Sequence, residues 1–272
     1  MTSEASVADH NEAVLHVVRR DGRAPRTIIV HGAMDRSVSF GRMARRFTDR
    51  ELITYDRRGY GRSIGLGTGD LDRHVADLVE LVGDEPTVLV GHSAGGVISL
   101  AAALREPLVL GVIAYEPPMM WSDWWPRAEP SPHGDPSTGD PEAQAEEFMV
   151  SMVGERIWRR LGEATRNDRR AEGKALRADL ALVDPGREPF DPTAVKVPVL
   201  CAAGTETTWW HKRGAQELAA LLPLGEFVTV EGAGHGVHLS NPAQLAALIE
   251  AFIARLGVSA GRSAEENLDR AE

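Results

Sequence analysis

The chain has 272 residues, with 30 basic against 40 acidic side chains and a formal net charge of −10 at pH 7. That balance argues against a nucleic-acid binder, which needs clustered Lys and Arg to neutralise phosphates. Hydrophobic residues make up 43% of the chain, enough for a substantial core. No run approaches the roughly 18 apolar residues of a membrane-spanning helix. The start, Met1 to Glu12, is polar and acidic, with neither the basic stretch nor the apolar stretch of a signal peptide, so a cytoplasmic protein without a membrane partner is expected. The single cysteine, Cys201, lies in an apolar strand pattern and reads as a buried core residue.

Strand-like and helix-like segments alternate along the chain, the signature of a mostly parallel sheet with helices on both faces. Ala13 to Arg19 and Thr27 to Val30 read as strands joined through a turn at Asp21-Gly22. A helix is predicted over Val38 to Phe47, a strand over Leu52 to Tyr55 and an amphipathic helix over Asp70 to Val82. The apolar strand Thr87 to Val90 leads into a glycine-rich turn and a helix from Val97 to Leu104, and Val109 to Tyr115 is the next buried strand. Between Pro117 and Thr193 no strand pattern appears; helical patterns run over Ala143 to Val153, Arg156 to Ala164 and Ala171 to Val183. Strands resume at Val197 to Ala203 and Glu226 to Glu231, alternating with helices over Gly214 to Leu222 and Pro242 to Leu256. Pro126 to Pro141, with five prolines, reads as weakly packed chain, and Gly257 to Glu272 as a polar, disordered tail.

The glycine-rich turn is Gly91-His92-Ser93-Ala94-Gly95-Gly96. In a Gly-x-Ser-x-Gly turn between strand and helix, the glycines remove Cβ atoms that would clash, and the serine hydroxyl projects at the C-terminal edge of the sheet. The helix behind it offers free N–H groups and the positive end of its dipole where an oxyanion develops. The phosphate-binding alternative lacks both Gly-x-Gly-x-x-Gly and Gly-Lys-Ser/Thr.

With this turn, three further motifs resemble the α/β-hydrolase family: His31-Gly32 after a strand, Tyr55-Asp56-Arg57-Arg58-Gly59-Tyr60-Gly61-Arg62-Ser63, and Gly232-Ala233-Gly234-His235. They occur in the family's order and run through nearly the whole chain. The resemblance implies a core over 1–117 and 194–256, a helical cap insertion over 118–193, and Ser93 as nucleophile. His235, in a glycine-flanked loop after a strand, is the candidate base for a serine that needs one. The family pattern takes one oxyanion amide from the residue after the nucleophile, here Ala94, and a second from the loop after His31-Gly32, where Ala33 is preferred to Met34. In this resemblance His31 props the oxyanion loop and Asp56 is a structural loop residue. His92 is expected to point to the other side of the elbow, His238 to be a helix-entry residue, and His211 to be a candidate for lining the site.

The triad acid departs from the family pattern. Many members place an Asp after the strand that follows the cap, but that turn reads Gly204-Thr205-Glu206-Thr207, with Thr207 at the expected position. A threonine cannot carry the charge that stabilises an imidazolium. Glu206 is one residue out of place. Glu116 ends the strand after the elbow helix, and Pro117 biases it towards extended backbone, which suits a strand's edge. Some members of the family place their acid after this strand, so the resemblance favours Glu116 over Glu206, with a missing acid left open.

Trp121, Trp124 and Trp125 open the predicted cap, and Trp209 and Trp210 follow Thr207. With Met34, the residues Trp121, Trp124 and Trp209 are candidates for an apolar substrate pocket, against the alternative that the tryptophans only pack the cap onto the core. A serine nucleophile leaves ester, lactone, thioester, amide or carbon–carbon hydrolysis, or cofactor-free perhydrolysis, on a small-molecule substrate. A ligand-binding protein with little turnover is the alternative that Thr207 raises. No metal-ligand spacing or nucleotide fingerprint is present, so neither metal nor cofactor is expected, and a homodimer is left open.

Overall fold

The computed structural model describes residues 14–126, 138–183 and 186–257. The expectations for 127–137 and for the tail beyond Gly257 therefore lie outside the described residues, as does Ala13 at the start of the first predicted strand. Among the described residues seven strands form one sheet: β1 (Val17–Arg20), β2 (Arg23–Val30), β3 (Arg50–Tyr55), β4 (Thr87–His92), β5 (Val109–Tyr115), β6 (Val199–Gly204) and β7 (Gly225–Val230). Their spatial order is β1-β3-β2-β4-β5-β6-β7, and only β1 runs antiparallel to its neighbour.

Side chains alternate between the two faces of each strand. Ile28, Val30 and Leu89 enter one core with Val75, Leu78 and Leu218 from α2 (Leu71–Val82) and α8 (Trp209–Leu221), and with Val97 and Ile98 from α3 (Ala94–Ala103). Ile29, Val88 and Val90 enter a second core with Met43 of α1 (Gly41–Ala44), Val237 of α9 (Val237–Ser240), and Ile249 and Phe252 of α10 (Pro242–Arg255). The result is a three-layer α/β fold whose central strands are apolar on both faces.

The chain order reverses direction across the sheet at β2, with β3 on one side and β4 on the other. In open α/β sheets the crevice at the carboxyl ends of the strands beside such a switch point is where ligands bind. Val30 pairs with Gly91 and His92 with Tyr115, so the segments that leave β2, β4 and β5 emerge together at this edge.

Among the described residues between β5 and β6 are the α-helices α4 (Pro141–Val153), α5 (Glu155–Arg160), α6 (Glu163–Arg170) and α7 (Gly173–Leu182). Met149, Trp158 and Leu176 form a small core of their own together with Met34 and Tyr60 from the main body. The single helix predicted over 156–164 is two: Leu161 adopts extended backbone (ψ 140°) and breaks the ladder ahead of Gly162. Helix α8 begins at Trp209, well before the predicted Gly214, because Thr208 turns extended ahead of it and the bulky Trp-Trp pair masks the helical period. The two tryptophans therefore stand on a helix rather than on a loop.

Candidate active site

Three adjacent strands each lead into a non-glycine residue with left-handed backbone: Met34 (φ 52°) beyond β2, Ser93 (φ 54°) after β4 and Glu116 (φ 48°) after β5. Such conformations cost on the order of 1–3 kcal/mol each and persist where the surroundings over-determine them. The extended backbone expected at Glu116 ahead of Pro117 is not what forms. The Glu116 N–H donates to the Ala202 carbonyl at 2.8 Å, and both carboxylate oxygens are anchored, which together hold the residue in its turn.

The tightness of the Ser93 turn follows from its glycines. A Cβ on Gly91 would lie 2.3 Å from the Gly95 carbonyl oxygen, and one on Gly95 would lie 2.1 Å from that of Val30. The second contact presses the start of α3 against the end of β2. The amide of Ala94 is the first of the helix and has no intrahelical partner. A Cβ on Gly32 would meet the Ser93 Cβ at 2.9 Å, so the loop carrying Ala33 runs directly past the serine.

His235 sits between β7 and α9 in the same crevice. Its Nδ1 lies 2.6 Å from Glu116 Oε2. A carboxylate only accepts, so this geometry assigns the proton to Nδ1 and leaves Nε2 with its lone pair. Glu116 is fully buried, and its oxygens also accept from the Gly204 N–H at 2.8 Å and the Thr207 hydroxyl at 2.8 Å. Thr207 thus stands where the family pattern places an acid and donates to the Glu116 carboxylate. Glu206 is exposed and its side chain makes no hydrogen bond among the described residues.

Burial pushes the His235 imidazole down to about 4, with the charge of neighbouring His238 acting in the same direction and Asp35 opposing it. The ring is therefore neutral at ordinary pH. His211, on α8, stacks almost parallel on His235 with centroids 4.3 Å apart and an 11° interplanar angle. Burial lowers His211 to about 3, so the stacked pair is uncharged. Among the described residues the Ser93 hydroxyl has no hydrogen-bond partner.

Two further histidines brace the loops around this crevice. His31 donates from Nδ1 to the Gly32 carbonyl at 2.7 Å and accepts the Arg57 N–H at Nε2 at 2.9 Å. His92 Nε2 donates to the His235 carbonyl at 2.8 Å, tying the residue beside the serine to the loop of the histidine. His238 lies in α9. Asp56 accepts the amides of Ser37 and Arg62, which caps the turn after β3.

The predicted pocket residues separate. Trp209 is 55% exposed, and an aromatic ladder runs inward from it through Trp124 (6.3 Å between centroids) and Trp125 (5.8 Å) to His211 (5.6 Å). Trp121 is half-buried against the same core. Met34, in contrast, is buried with Tyr60 and the helices between β5 and β6. Its amide faces the Tyr60 hydroxyl, whereas that of Ala33 has no partner among the described residues. Two open clefts, of about 770 and 520 Å³, are lined by none of Ser93, Glu116 and His235. Sequence reasoning gave Thr207 no role and His211 only a loose one; the signal available for Thr207 was its place in the turn.

The family model described as "Alpha/beta hydrolase family" matches residues 27–248. The polyketide synthase ThaQ of Burkholderia thailandensis is 28% identical over 91% of this chain, which spans only 13% of that protein. The pimeloyl-[acyl-carrier protein] methyl ester esterase of Stenotrophomonas maltophilia is 28% identical over 88% of this chain and 97% of its own. A putative lipase from Acinetobacter baumannii superposes with a TM-score of 0.70 at 17% identity, covering 94% of this chain and 92% of its own. No described helix is long and apolar enough to cross a membrane. The match over most of its length, the sheet order and the strained turn at Ser93 place this chain in the alpha/beta hydrolase family.

Proposed function

We propose that the protein is a serine hydrolase that cleaves an ester, lactone or related carbonyl bond of a small, largely apolar substrate through an acyl-enzyme. The observation that carries this reading is the 2.6 Å contact between His235 Nδ1 and the buried Glu116 carboxylate, at the strand edge where Ser93 is strained. Ser93 Oγ attacks the carbonyl carbon while His235 Nε2 takes its proton. The amides of Ala94 and Ala33 hold the oxyanion. His235 returns the proton to the leaving alkoxide as the tetrahedral intermediate collapses, and water activated by the same imidazole then releases the acid. Glu116 fixes the tautomer and stabilises the imidazolium formed in each half-reaction. With Glu116 in this role, Thr207 no longer argues for a binding protein without turnover.

The helices between β5 and β6 act as a cap, and Trp121, Trp124 and Trp209 supply apolar surface for the acyl or alkyl group. An uncharged substrate also accords with the net charge of −10. Labelling with a fluorophosphonate probe tests the reading. Labelling of the wild type that is absent in Ser93→Ala and slowed in Glu116→Gln is expected. Equal labelling or equal ester turnover in Ser93→Ala overturns it.

A further inference from the structure

On the other side of His92 from Glu116 lies a second cluster of titratable groups that the proposed hydrolysis does not use. A ring nitrogen from each of His92 and His238 and one Asp35 carboxylate oxygen lie within 4.8 Å of one another. His92 and His238 are 8% and 3% exposed. His92 Nδ1, both ring nitrogens of His238 and Asp35 Oδ2 are buried atoms with no hydrogen-bond partner among the described residues. Leaving a buried polar atom unpaired costs about 1–3 kcal/mol, so three such atoms gathered in one place, one from each residue, call for a shared partner.

The geometry points to a site for a divalent transition metal of the zinc type, held by Asp35 Oδ2, His92 Nδ1 and His238 Nε2. Asp35 Oδ2 and His238 Nε2 stand 3.2 Å apart. Two ligands at about 2.0 Å from a tetrahedral ion stand roughly 3.3 Å apart. Two imidazoles and one carboxylate match the donors such ions prefer, with the fourth position left to water.

Two of the three ligands, His92 and Asp35, are held from behind by hydrogen bonds of the kind metal sites use. His92 spends its Nε2 proton on the His235 carbonyl, which presents Nδ1 as a lone pair. Asp35 Oδ1 accepts from the Arg36 N–H at 2.8 Å and from the Ser39 hydroxyl, which turns Oδ2 towards the histidines. Phe40 stacks on His238 with centroids 4.2 Å apart and fixes the plane of that ring. Glycine at position 32 keeps Nδ1 of His92 clear, since a Cβ there would stand 3.0 Å from it.

A second group of potential ligands, on Glu116, His211 and His235, is gathered as closely. Its carboxylate, however, is already committed to Gly204, Thr207 and His235. The Asp35 site would clamp the loop after β2, the residue before Ser93 and the helix after His235, so its role is to stiffen the frame of the crevice rather than to take part in hydrolysis.

The test is Zn²⁺ titration of chelator-treated full-length protein by calorimetry, with Co²⁺ absorption as a spectroscopic signature of tetrahedral coordination. One ion per chain and a rise in melting temperature are expected. Loss of an outer hydrogen-bond partner already costs roughly 10- to 100-fold in metal affinity. His238→Gln and Asp35→Asn should therefore each weaken binding by more than about 100-fold and abolish the Co²⁺ bands, with circular dichroism confirming that both variants fold. Absence of stoichiometric binding by the wild type overturns the proposal. So does binding that survives in both variants and is lost in His211→Gln.

Discussion

Arg57 and Asp179, 122 positions apart, form a two-pronged ion pair at 2.8 and 2.5 Å with both side chains essentially excluded from solvent. The same guanidinium donates to the His31 and Gly32 carbonyls, and the Tyr60 hydroxyl donates to the same carboxylate. One cation thus joins the loop after β2 to helix α7 of the insertion. Removing one partner of a buried pair leaves the other charge uncompensated and costs about 3–5 kcal/mol. Asp179→Asn should lose stability in that range in urea unfolding; a loss below about 1 kcal/mol would show that the carbonyls alone satisfy Arg57.

The three polar residues around His235 should separate by magnitude in turnover of an activated ester. Glu116→Gln is expected to lower kcat by about 10⁴, as loss of the acid does in other serine triads. Thr207→Val removes one hydrogen bond to the Glu116 carboxylate, worth about 1.5–3 kcal/mol, and should cost about 10- to 150-fold. Glu206→Gln should match the wild type, since that side chain is exposed. A Glu206→Gln defect as large as that of Glu116→Gln would reassign the acid.

The pH profile follows from the burial of His235. Its imidazole must be neutral to take a proton, and burial lowers it from the usual histidine value to about 4. Activity should therefore fall only as pH drops towards about 4. An acid limb in kcat/KM near the ordinary value of about 6.5 would mean that the Glu116 carboxylate, which favours the charged ring, outweighs burial.

His74 on α2 offers a stability counterpart away from the crevice. Burial, reinforced by Arg57, depresses it to about 3. Below about pH 6.5 the unfolded chain takes up a proton there that the folded chain refuses, so stability falls as pH falls from about 6.5 to about 3. The slope for one proton is at most about 1.4 kcal/mol per pH unit. Urea midpoints at pH 7 and pH 5 should therefore lie closer together in His74→Gln than in the wild type. An unchanged difference would sink the assignment.

Much of the fold was legible because its signals are local. The strand before Gly91, the glycines around Ser93 and the amphipathic α2 each announce themselves within a dozen residues. The geometry around His235 was less so. Glu116 and Glu206 are equivalent in composition, and what separates them is the left-handed turn that holds Glu116 against Gly204 and Thr207. The rule for a residue before proline pointed the wrong way at Glu116, since long-range hydrogen bonds prevailed over a local steric bias. Arg57 with Asp179, and Asp35 with His92 and His238, carried no spacing signal, because the fold alone brings such distant positions together. Met34 and the tryptophans read as one apolar group in sequence, yet the insertion draws Met34 into a separate core.

Because Glu116 follows β5 rather than β6, the serine and the carboxylate ride on the two strands of a single β4–α3–β5 crossover, whereas His235 lies 119 positions beyond Glu116. Two of the three groups are placed by a short-range unit with little loop-closure entropy to overcome. The third waits on contacts of high sequence separation, the kind that slow folding. In the folding of this chain, the crossover can therefore be native while the crevice is still incomplete, and it is the docking of β7 and α9 that completes it.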